Sequence, residues 1–386
     1  MKKRKKLRWK RIIIVFAPVL LIVLMFIFVV NAINQPVHHE PQKGTENPLK
    51  NWTLKEQIGQ LIMVGTPANT LDSATENIIS QNDVGSVFLT GRSDLTNEQV
   101  KQNMIALNDK TKKAKLLIAV DQEGGQIQVL QGSGFSAMPD GLTQGQMSTT
   151  ELEKSATNWG NELKSADVNM NLAPVSDLVP SADFASENAP IGYWNRQYGY
   201  DVQAITSSAA AFAQGMKNSD VLATAKHFPG IGRVTENTDF SSNVTDDTTT
   251  SSDDSVQIFK NLIAKNIPAI MTSTVIYDKI DANNPAAFSP TIVTDLLRKK
   301  LDFKGLIVTD DLSNAAQVQN YTVGNRAVLA IAAGNDLICA GAPEQIPEMT
   351  AALYQKAQKD RNFNQKIATA AERVIEQKTK MGLIKK

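Results

Sequence analysis

The 386-residue chain contains one cysteine and three histidines, and both scarcities limit its chemistry. A single Cys339 cannot form a disulfide within the chain, and it cannot build a cysteine-based metal site. Cys339 lies in an apolar stretch, so we expect it to be a small buried core residue. His38 and His39 lie in a polar segment and His227 stands alone, so a histidine cluster is not indicated. No metal site is therefore predicted.

The chain also lacks the motifs of common cofactor and serine-hydrolase sites. No glycine-rich segment has the spacing and the lysine of a phosphate-binding loop. Neither a GxSxG elbow nor a Ser/His/Asp set is evident. We therefore predict a protein that uses no cofactor.

Acidic residues are missing from the first eleven positions, which hold eight Lys or Arg. The remaining chain has 32 basic and 39 acidic residues, so nucleic acid binding by the folded part is not expected. Residues 12–30 form a charge-free apolar run of 19 residues, close to the roughly 20 that a membrane-spanning helix needs. The basic flank at 1–11 is expected to stay in the cytoplasm, with the rest of the chain outside.

Two interpretations of the apolar run remain open. Secretory signals have apolar regions of about 7–15 residues, which favours a retained single-pass anchor in the cell membrane. Val30-Asn31-Ala32 resembles a small-residue cleavage site, and cleavage would give a secreted protein. Residues 31–51 are polar and predict an extracytoplasmic tether, and residues 52–386 form the predicted folded domain.

Short apolar runs alternate with helical patterns from Thr53 onward. Thr53 and Glu56 have the spacing of a capping box. Continuous apolar runs are typical of strands buried on both faces of a parallel sheet. Eight such strands with helices between them favour an α/β fold, a (β/α)8 TIM-type barrel, over an open sheet. Residues 243–255 are polar and low in complexity, which predicts a solvated, mobile loop without chemistry of its own. The predicted strands are 60–65, 85–89, 116–120, 168–175, 221–228, 269–277, 305–310 and 336–341.

Polar residues cluster where three of these strands end. The motifs are DQEGG at 121–125, KHFPG at 226–230 and TDD at 309–311. Barrel enzymes carry their active sites at this end of the strands, so we expect the three clusters to share one site. Asp310 is expected to face the barrel mouth, whereas Asp311 has the position of a cap for the next helix.

Taken in order, these motifs resemble those of family 3 glycoside hydrolases, in the branch of single-domain β-N-acetylglucosaminidases. The resemblance covers nearly all of residues 53–341 and implies retaining hydrolysis of terminal β-linked N-acetylhexosamine from cell-wall or related glycans. Further matches are EQIGQLIMVG at 56–65, NLAPVSDL at 171–178, AAFSPTIVTDLLR at 286–298 and IVTDDLS at 307–313.

The resemblance also implies roles for individual residues. Asp310 would attack the anomeric carbon and form a covalent glycosyl–enzyme intermediate. The hydroxyls and the acetamido group of the sugar would be held by Asp121, Arg196, Lys226 and His227.

The sequence departs from the family pattern in the loop after KHFPG. That branch carries its acid/base there as a histidine in an Asp-Ser-His ending, and this chain has Asn237-Thr238-Asp239. Asp239 is the candidate acid/base and Glu236 the nearby alternative, although both could be solvated carboxylates without a role.

Two other functions stay open. The missing histidine suggests a catalytically weak sugar-binding or scaffold protein on the same barrel, and the retained Asp310 argues against it. A β-glucosidase-like specificity is less favoured, since those relatives usually supply the acid from an additional domain. Only about 45 residues follow the last predicted strand, enough for closing helices.

Overall fold

The computed structural model describes residues 48–385, which form a barrel of eight parallel strands. Hydrogen bonds join the strands in the order β7-β6-β5-β4-β3-β2-β1-β8. One parallel bridge between Val308 and Leu337 links β7 to the start of β8, so the barrel is nearly closed. All eight predicted strands are present. They are β1 Ile62–Pro67, β2 Ser86–Thr90, β3 Leu117–Val120, β4 Met170–Asn171, β5 Leu222–Phe228, β6 Ala269–Thr272, β7 Leu306–Thr309 and β8 Ile338–Ala340.

Helices cover the outside of the barrel. The first begins with the predicted capping box: the Thr53 N–H donates to the Glu56 carboxylate, and the Glu56 N–H donates to Thr53 Oγ1. A helix with i→i+5 hydrogen bonds spans Thr291–Lys300. The α-helices are α1 Leu54–Gln60, α2 Ser73–Gln81, α3 Asn97–Asp109, α4 Thr149–Ser165, α5 Val202–Asn218, α6 Asp254–Ala264, α7 Val323–Ala333, α8 Ile346–Lys359 and α9 Arg361–Lys380, with shorter turns between them.

Apolar side chains fill two regions, one inside the barrel and one between the strands and the helices. Successive strand residues point to opposite faces, so each strand supplies both regions. On β7, Leu306 and Val308 face the interior, whereas Ile307 packs on the helix side. Cys339 belongs to the interior and is buried, which confirms the expected core residue. Burial on both faces explains why the strands read as continuous apolar runs.

The regular part of β4 is only two residues long, shorter than the predicted 168–175, although single backbone hydrogen bonds to its neighbours continue on both sides. Asparagine side chains add to its pairing with β3. The amide of Asn169 accepts from the Ile118 N–H and donates to the Leu116 carbonyl oxygen. Asn171 makes the same pair of bonds with the backbone of Gln122. The strand position was therefore predicted correctly, but its length was not.

The prediction of a solvated loop at 243–255 is wrong in part, because Val244, Asp246 and Thr249 are buried. Thr245–Asp246 pairs as a parallel strand with Ile276–Tyr277. The Asp246 carboxylate also accepts hydrogen bonds from Thr248 and Thr249. Polar composition could not reveal this strand, because its partner lies beyond β6.

Within residues 48–385, no helix is long and apolar enough to cross a membrane. The predicted cytoplasmic segment 1–11, the predicted span 12–30 and most of the predicted tether 31–51 lie outside the described residues. These N-terminal assignments therefore stay predictions.

Lys378 of α9 is fully buried near the N-terminal ends of the strands, and no described carboxylate pairs with it. Its Nζ donates to Gln60 Oε1 and to the Gly85 carbonyl oxygen, both at 2.6 Å. Burial lowers the pKa of Lys378 to about 7. An unfolded chain keeps the ordinary lysine pKa of about 10.4. Between these values the unfolded state holds a proton that the folded state has lost.

This difference predicts that the free energy of unfolding rises with pH above about 7. The contribution of Lys378 should reach at most about 1.4 kcal/mol per pH unit. Lys378→Met removes the titrating group, so urea unfolding at several pH values between neutral and alkaline should give a flatter pH dependence. The exposed Lys380→Met is the matched control. Equal slopes for wild type and Lys378→Met would contradict the assignment.

Candidate active site

A cavity of about 680 Å³ opens at the C-terminal ends of the strands. Apolar side chains that include Phe88, Leu172, Met271 and Cys339 close its base. Glu236, the alternative acid, is exposed and does not line it. The six predicted site residues all line this cavity: Asp121, Arg196, Lys226, His227, Asp239 and Asp310.

Strand alternation explains why three of these residues face the cavity. Asp121 lies two residues beyond the inward-facing Ala119, and Asp310 lies two residues beyond the inward-facing Val308. The same parity places Lys226 on the inward face of β5. Asp310 also continues the sheet, because its N–H donates to the Thr272 carbonyl oxygen on β6 at 2.9 Å. The strand ends thus direct these side chains toward one space.

A buried network of charges joins the ends of β3 and β5. Lys226 Nζ lies 2.6 Å from both Asp121 Oδ1 and Glu123 Oε1. Arg196 binds the same glutamate in a bidentate manner, with Nε and one Nη each 2.8 Å from a carboxylate oxygen. Glu123 was not singled out from the sequence, although it stands in the DQEGG motif. Its position could have been noticed in the sequence, because Glu123 is a second acidic residue at the same strand end as Asp121.

The network stays ionised because its charges compensate one another. Burial opposes the charge of Glu123, but Arg196 and Lys226 outweigh it and lower the pKa of Glu123 to about 2. Burial likewise opposes the charge of Lys226, and the carboxylates of Asp121 and Glu123 raise its pKa. Asp121 Oδ2 has no partner among the described residues, so this oxygen is available to a ligand.

His227 is held by Asp177, which was also not singled out from the sequence. Asp177 is fully buried, and its Oδ2 lies 2.8 Å from His227 Nδ1. The same carboxylate accepts the backbone N–H groups of His227 and Ile231. A carboxylate at Nδ1 leaves Nε2 without a partner in the described chain, so Nε2 can contact a ligand. Lys226 and His227 reach the same cavity where the register of β5 against β6 shifts.

Three further carboxylates line the cavity without a salt bridge to any described residue: Asp239, Asp310 and Asp311. Their hydrogen bonds differ. Asp310 accepts one, at Oδ1 from the Asp311 N–H, so its Oδ2 is unoccupied by protein donors. The Asp239 carboxylate accepts none from described residues. Both oxygens of Asp311 accept hydrogen bonds, from Ser313, Asn314 and Gly341. The predicted helix cap is wrong, because the next helical turn begins only at Ala316 and Asp311 holds a turn and the loop after β8 instead.

The loop that carries Asp239 is fastened to the segment after β7. The Ala316 N–H donates to the Asp239 carbonyl oxygen at 3.2 Å, and the Gln317 N–H donates to the Thr238 carbonyl oxygen at 3.1 Å. The Gln317 side chain adds two bonds to the backbone of Val244. These contacts fix the acidic loop relative to the strand that ends in the other carboxylates.

The Asp239 carboxyl holds a proton more readily than an ordinary aspartate. Burial by the surrounding protein, and then the charges of Asp310 and Asp311, raise the pKa of Asp239 to about 6. The residue as a whole is exposed, so solvent weakens the effect of burial, and we assign the larger effect to the two like charges. An acid with a raised pKa is suited to protonate a leaving group.

Known proteins share this sequence and this fold. A sequence model described as the glycosyl hydrolase family 3 N terminal domain matches residues 53–377. The chain belongs to glycosyl hydrolase family 3. A Vibrio cholerae β-hexosaminidase is 34% identical over 275 residues, which cover 69% of this chain and 78% of the relative. The resemblance inferred from the motifs is confirmed, and the protein is a glycoside hydrolase that acts on O-glycosyl bonds.

Two further relatives extend the comparison. An uncharacterized secreted glycosyl hydrolase of Arthroderma benhamiae is 32% identical over 304 residues, which cover 74% of this chain and 82% of that protein. The crystal structure of a β-N-acetylhexosaminidase from Beutenbergia cavernae is similar, with a TM-score of 0.82 and 47% identity. That similarity covers 85% of this chain and 98% of the other.

The buried charge network predicts a large effect of Glu123→Gln. This change leaves Lys226 and Arg196 with one carboxylate fewer, and we expect a loss of about 3 kcal/mol in the free energy of unfolding near neutral pH. The stabilisation from Glu123 is complete above its ordinary pKa and is lost as pH falls toward about 2. The difference between the two proteins in urea unfolding should therefore shrink in acid. Glu236→Gln, on the exposed loop, should change stability by less than about 0.5 kcal/mol; equal effects of both variants would contradict the network.

Proposed function

We propose that this glycoside hydrolase removes terminal β-linked N-acetylglucosamine from glycans by a retaining, two-step mechanism. The observation that carries the proposal is the free Oδ2 of Asp310, which lines a closed-ended cavity together with Lys226 and His227. A cavity whose inner end is closed by the apolar interior of the barrel fits the end of a glycan chain. The names of its relatives, β-hexosaminidase and β-N-acetylhexosaminidase, support the choice of sugar.

Fixed polar groups around the cavity would orient the sugar. Asp121 Oδ2 and His227 Nε2 have no partners within the described chain, and Lys226 and Arg196 supply positive charge beside them. At the rim, the exposed side chain of Trp194 offers an apolar surface to the C–H face of a sugar ring. These groups match the roles that the family resemblance implies for Asp121, Arg196, Lys226 and His227.

In the first step, Asp310 Oδ2 attacks the anomeric carbon while the glycosidic C–O bond breaks. The proton of the Asp239 carboxyl passes to the leaving oxygen, which departs as an alcohol. In the second step, the Asp239 carboxylate takes a proton from water, and the resulting hydroxide displaces Asp310 from the anomeric carbon. Two displacements restore the β configuration. Asp239 thereby takes the position of the loop histidine that this chain lacks.

The location of the enzyme is a second part of the proposal. The basic segment 1–11 and the apolar run 12–30 support a single-pass anchor, with the barrel outside the cytoplasmic membrane. Cleavage after the apolar run would instead give a secreted enzyme. Cell-wall or related glycans are the substrates within reach of an enzyme held there.

Asp310→Ala should lower kcat on 4-nitrophenyl N-acetyl-β-glucosaminide by roughly 10³-fold or more, since the change removes the proposed nucleophile. N-acetylglucosamine binding, measured by calorimetry, should persist because Lys226 and His227 remain. The exposed Asp302→Ala, away from the cavity, is the matched control. A wild type that binds the sugar but releases no nitrophenol would support the sugar-binding protein instead. Unchanged turnover in Asp310→Ala would remove the mechanism.

Asp239→Ala should lower the rate of hydrolysis most for the substrates with the poorest leaving groups. A dinitrophenyl glycoside needs little protonation, so its first step should be nearly unaffected, whereas an N-acetylglucosamine disaccharide should lose most of its turnover. In the wild type, kcat/KM should fall as pH rises through about 6, where Asp239 loses its proton, and the variant should lack this limb. Glu236→Ala serves as the control. Equal losses for good and poor leaving groups would exclude Asp239 as the acid.

A further inference from the structure

The two ends of the barrel carry opposite charge. Three segments at the N-terminal ends of the strands, 109–116, 299–305 and 376–385, contain ten lysines and three acidic residues. Three segments at the other end, 121–148, 229–253 and 310–322, contain ten acidic residues and one arginine. We call the first end the basic face. Because the chain after residue 11 has more acids than bases, this face is a local concentration of positive charge.

A second cavity lies on the basic face, about 380 Å³ in volume. Exposed lysines surround it, namely Lys164, Lys217, Lys265 and Lys380. None of their ammonium groups has a salt bridge or a hydrogen bond to a described residue, and the one acid in the lining is Asp220. Aliphatic side chains such as Leu262 and Ile267 form its base. Four lysines without a described partner, above an apolar base, suit ligands that carry a negative charge on an aliphatic chain.

The described chain also enters the fold on this face. Trp52 contacts the loop before β3, where Lys113 Nζ lies 5.4 Å from the centre of its ring and also donates to the Asn51 carbonyl oxygen. Seventeen residues separate Val30, the end of the predicted membrane span, from Pro48. Even fully extended, they can reach no more than about 60 Å. A barrel anchored in this way remains close to the bilayer surface.

We infer that the basic face rests on a membrane that contains anionic phospholipids, with headgroup phosphates among the lysines around the second cavity. The inference rests on the membrane anchor in the proposed function. Each basic residue close to an anionic bilayer contributes about 1 kcal/mol to the free energy of membrane binding. The tether also keeps the basic face at a high local concentration near the bilayer. Contact on this face turns the opposite end outward. The cavity that holds Asp310 then opens away from the membrane, toward glycans beyond it.

The test uses the full chain in nanodiscs of phosphatidylcholine alone or of equal parts phosphatidylcholine and phosphatidylglycerol. Hydrogen exchange is followed by mass spectrometry in segments 109–116, 299–305 and 376–385. We expect exchange at least about fivefold slower in the anionic discs, matching about 1 kcal/mol of contact. The protection should disappear at about 1 M salt, where the Debye length is about 3 Å. Segments 121–148 and 229–253 should not change.

Two matched triple variants distinguish an effect of the basic face from an effect of the protein's net charge. Lys217→Gln, Lys265→Gln and Lys380→Gln together should abolish the protection. Lys101→Gln, Lys154→Gln and Lys279→Gln, which remove the same charge elsewhere, should keep it. All six lysines lack a described salt bridge, so neither variant breaks one.

Three results would overturn the inference. Equal exchange in both kinds of disc, from a chain that incorporates, contradicts the contact and leaves the anchor intact. Equal protection by inorganic phosphate, at matched ionic strength in zwitterionic discs, would identify a small-anion site. A chain that fails to incorporate removes both the anchor and the contact, while glycosidase activity, measured separately, still decides the catalytic part of the proposed function.

Discussion

The site depends on the contact between Lys226 and Glu123, because both are buried and the contact links their other ion pairs, with Asp121 and with Arg196, into one compensated network. This contact ties β3 to β5 across the barrel mouth, although the two strands are far apart in sequence. Arg196 docks on the same carboxylate and brings the loop after β4 to the cavity. A network required for folding therefore also provides the charged wall against which a sugar can be oriented. Catalytic barrels commonly place such side chains at strand ends, where loops from several strands converge.

Prediction from the sequence worked best where the two-residue period of the strands determines the direction of the side chains. Asp121, Lys226 and Asp310 follow apolar strand residues with the parity that points them inward, so their meeting in one cavity could be predicted. The order of the motifs indicated the family, because six short matches follow one another along the sequence. Prediction failed where tertiary contacts decide. Asp177 is recognisable only through the partner it binds in space, and the role of Glu123 follows from its partners although its place beside Asp121 is visible in the motif. The asparagine side chains that connect β4 to β3 leave no mark in the hydropathy pattern.

Five acidic side chains line one cavity, and their surroundings divide them into different roles. Asp121 and Glu123 are neutralised by cations, and Asp311 is saturated by donors from the loops after β7 and β8. That leaves Asp310, with one free oxygen, and Asp239, with a raised pKa caused by burial and its acidic neighbours. Retaining glycosidases need such a pair, one carboxylate ionised and one protonated. The distinction arises from neighbouring groups, because all but one of the five are the same kind of residue.

The attachment of the Asp239 loop to Ala316 and Gln317 has a consequence for how this enzyme can change. The proposed proton donor and the peptide stretch that holds its loop come from different parts of the gene. Transplanting residues 230–243 alone into a homologue would deliver the carboxylic acid without its support. A chimera that keeps its acid aimed at the scissile bond has to exchange both pieces together. Evolutionary replacement of one proton donor by another in this scaffold is, by the same logic, a coordinated event.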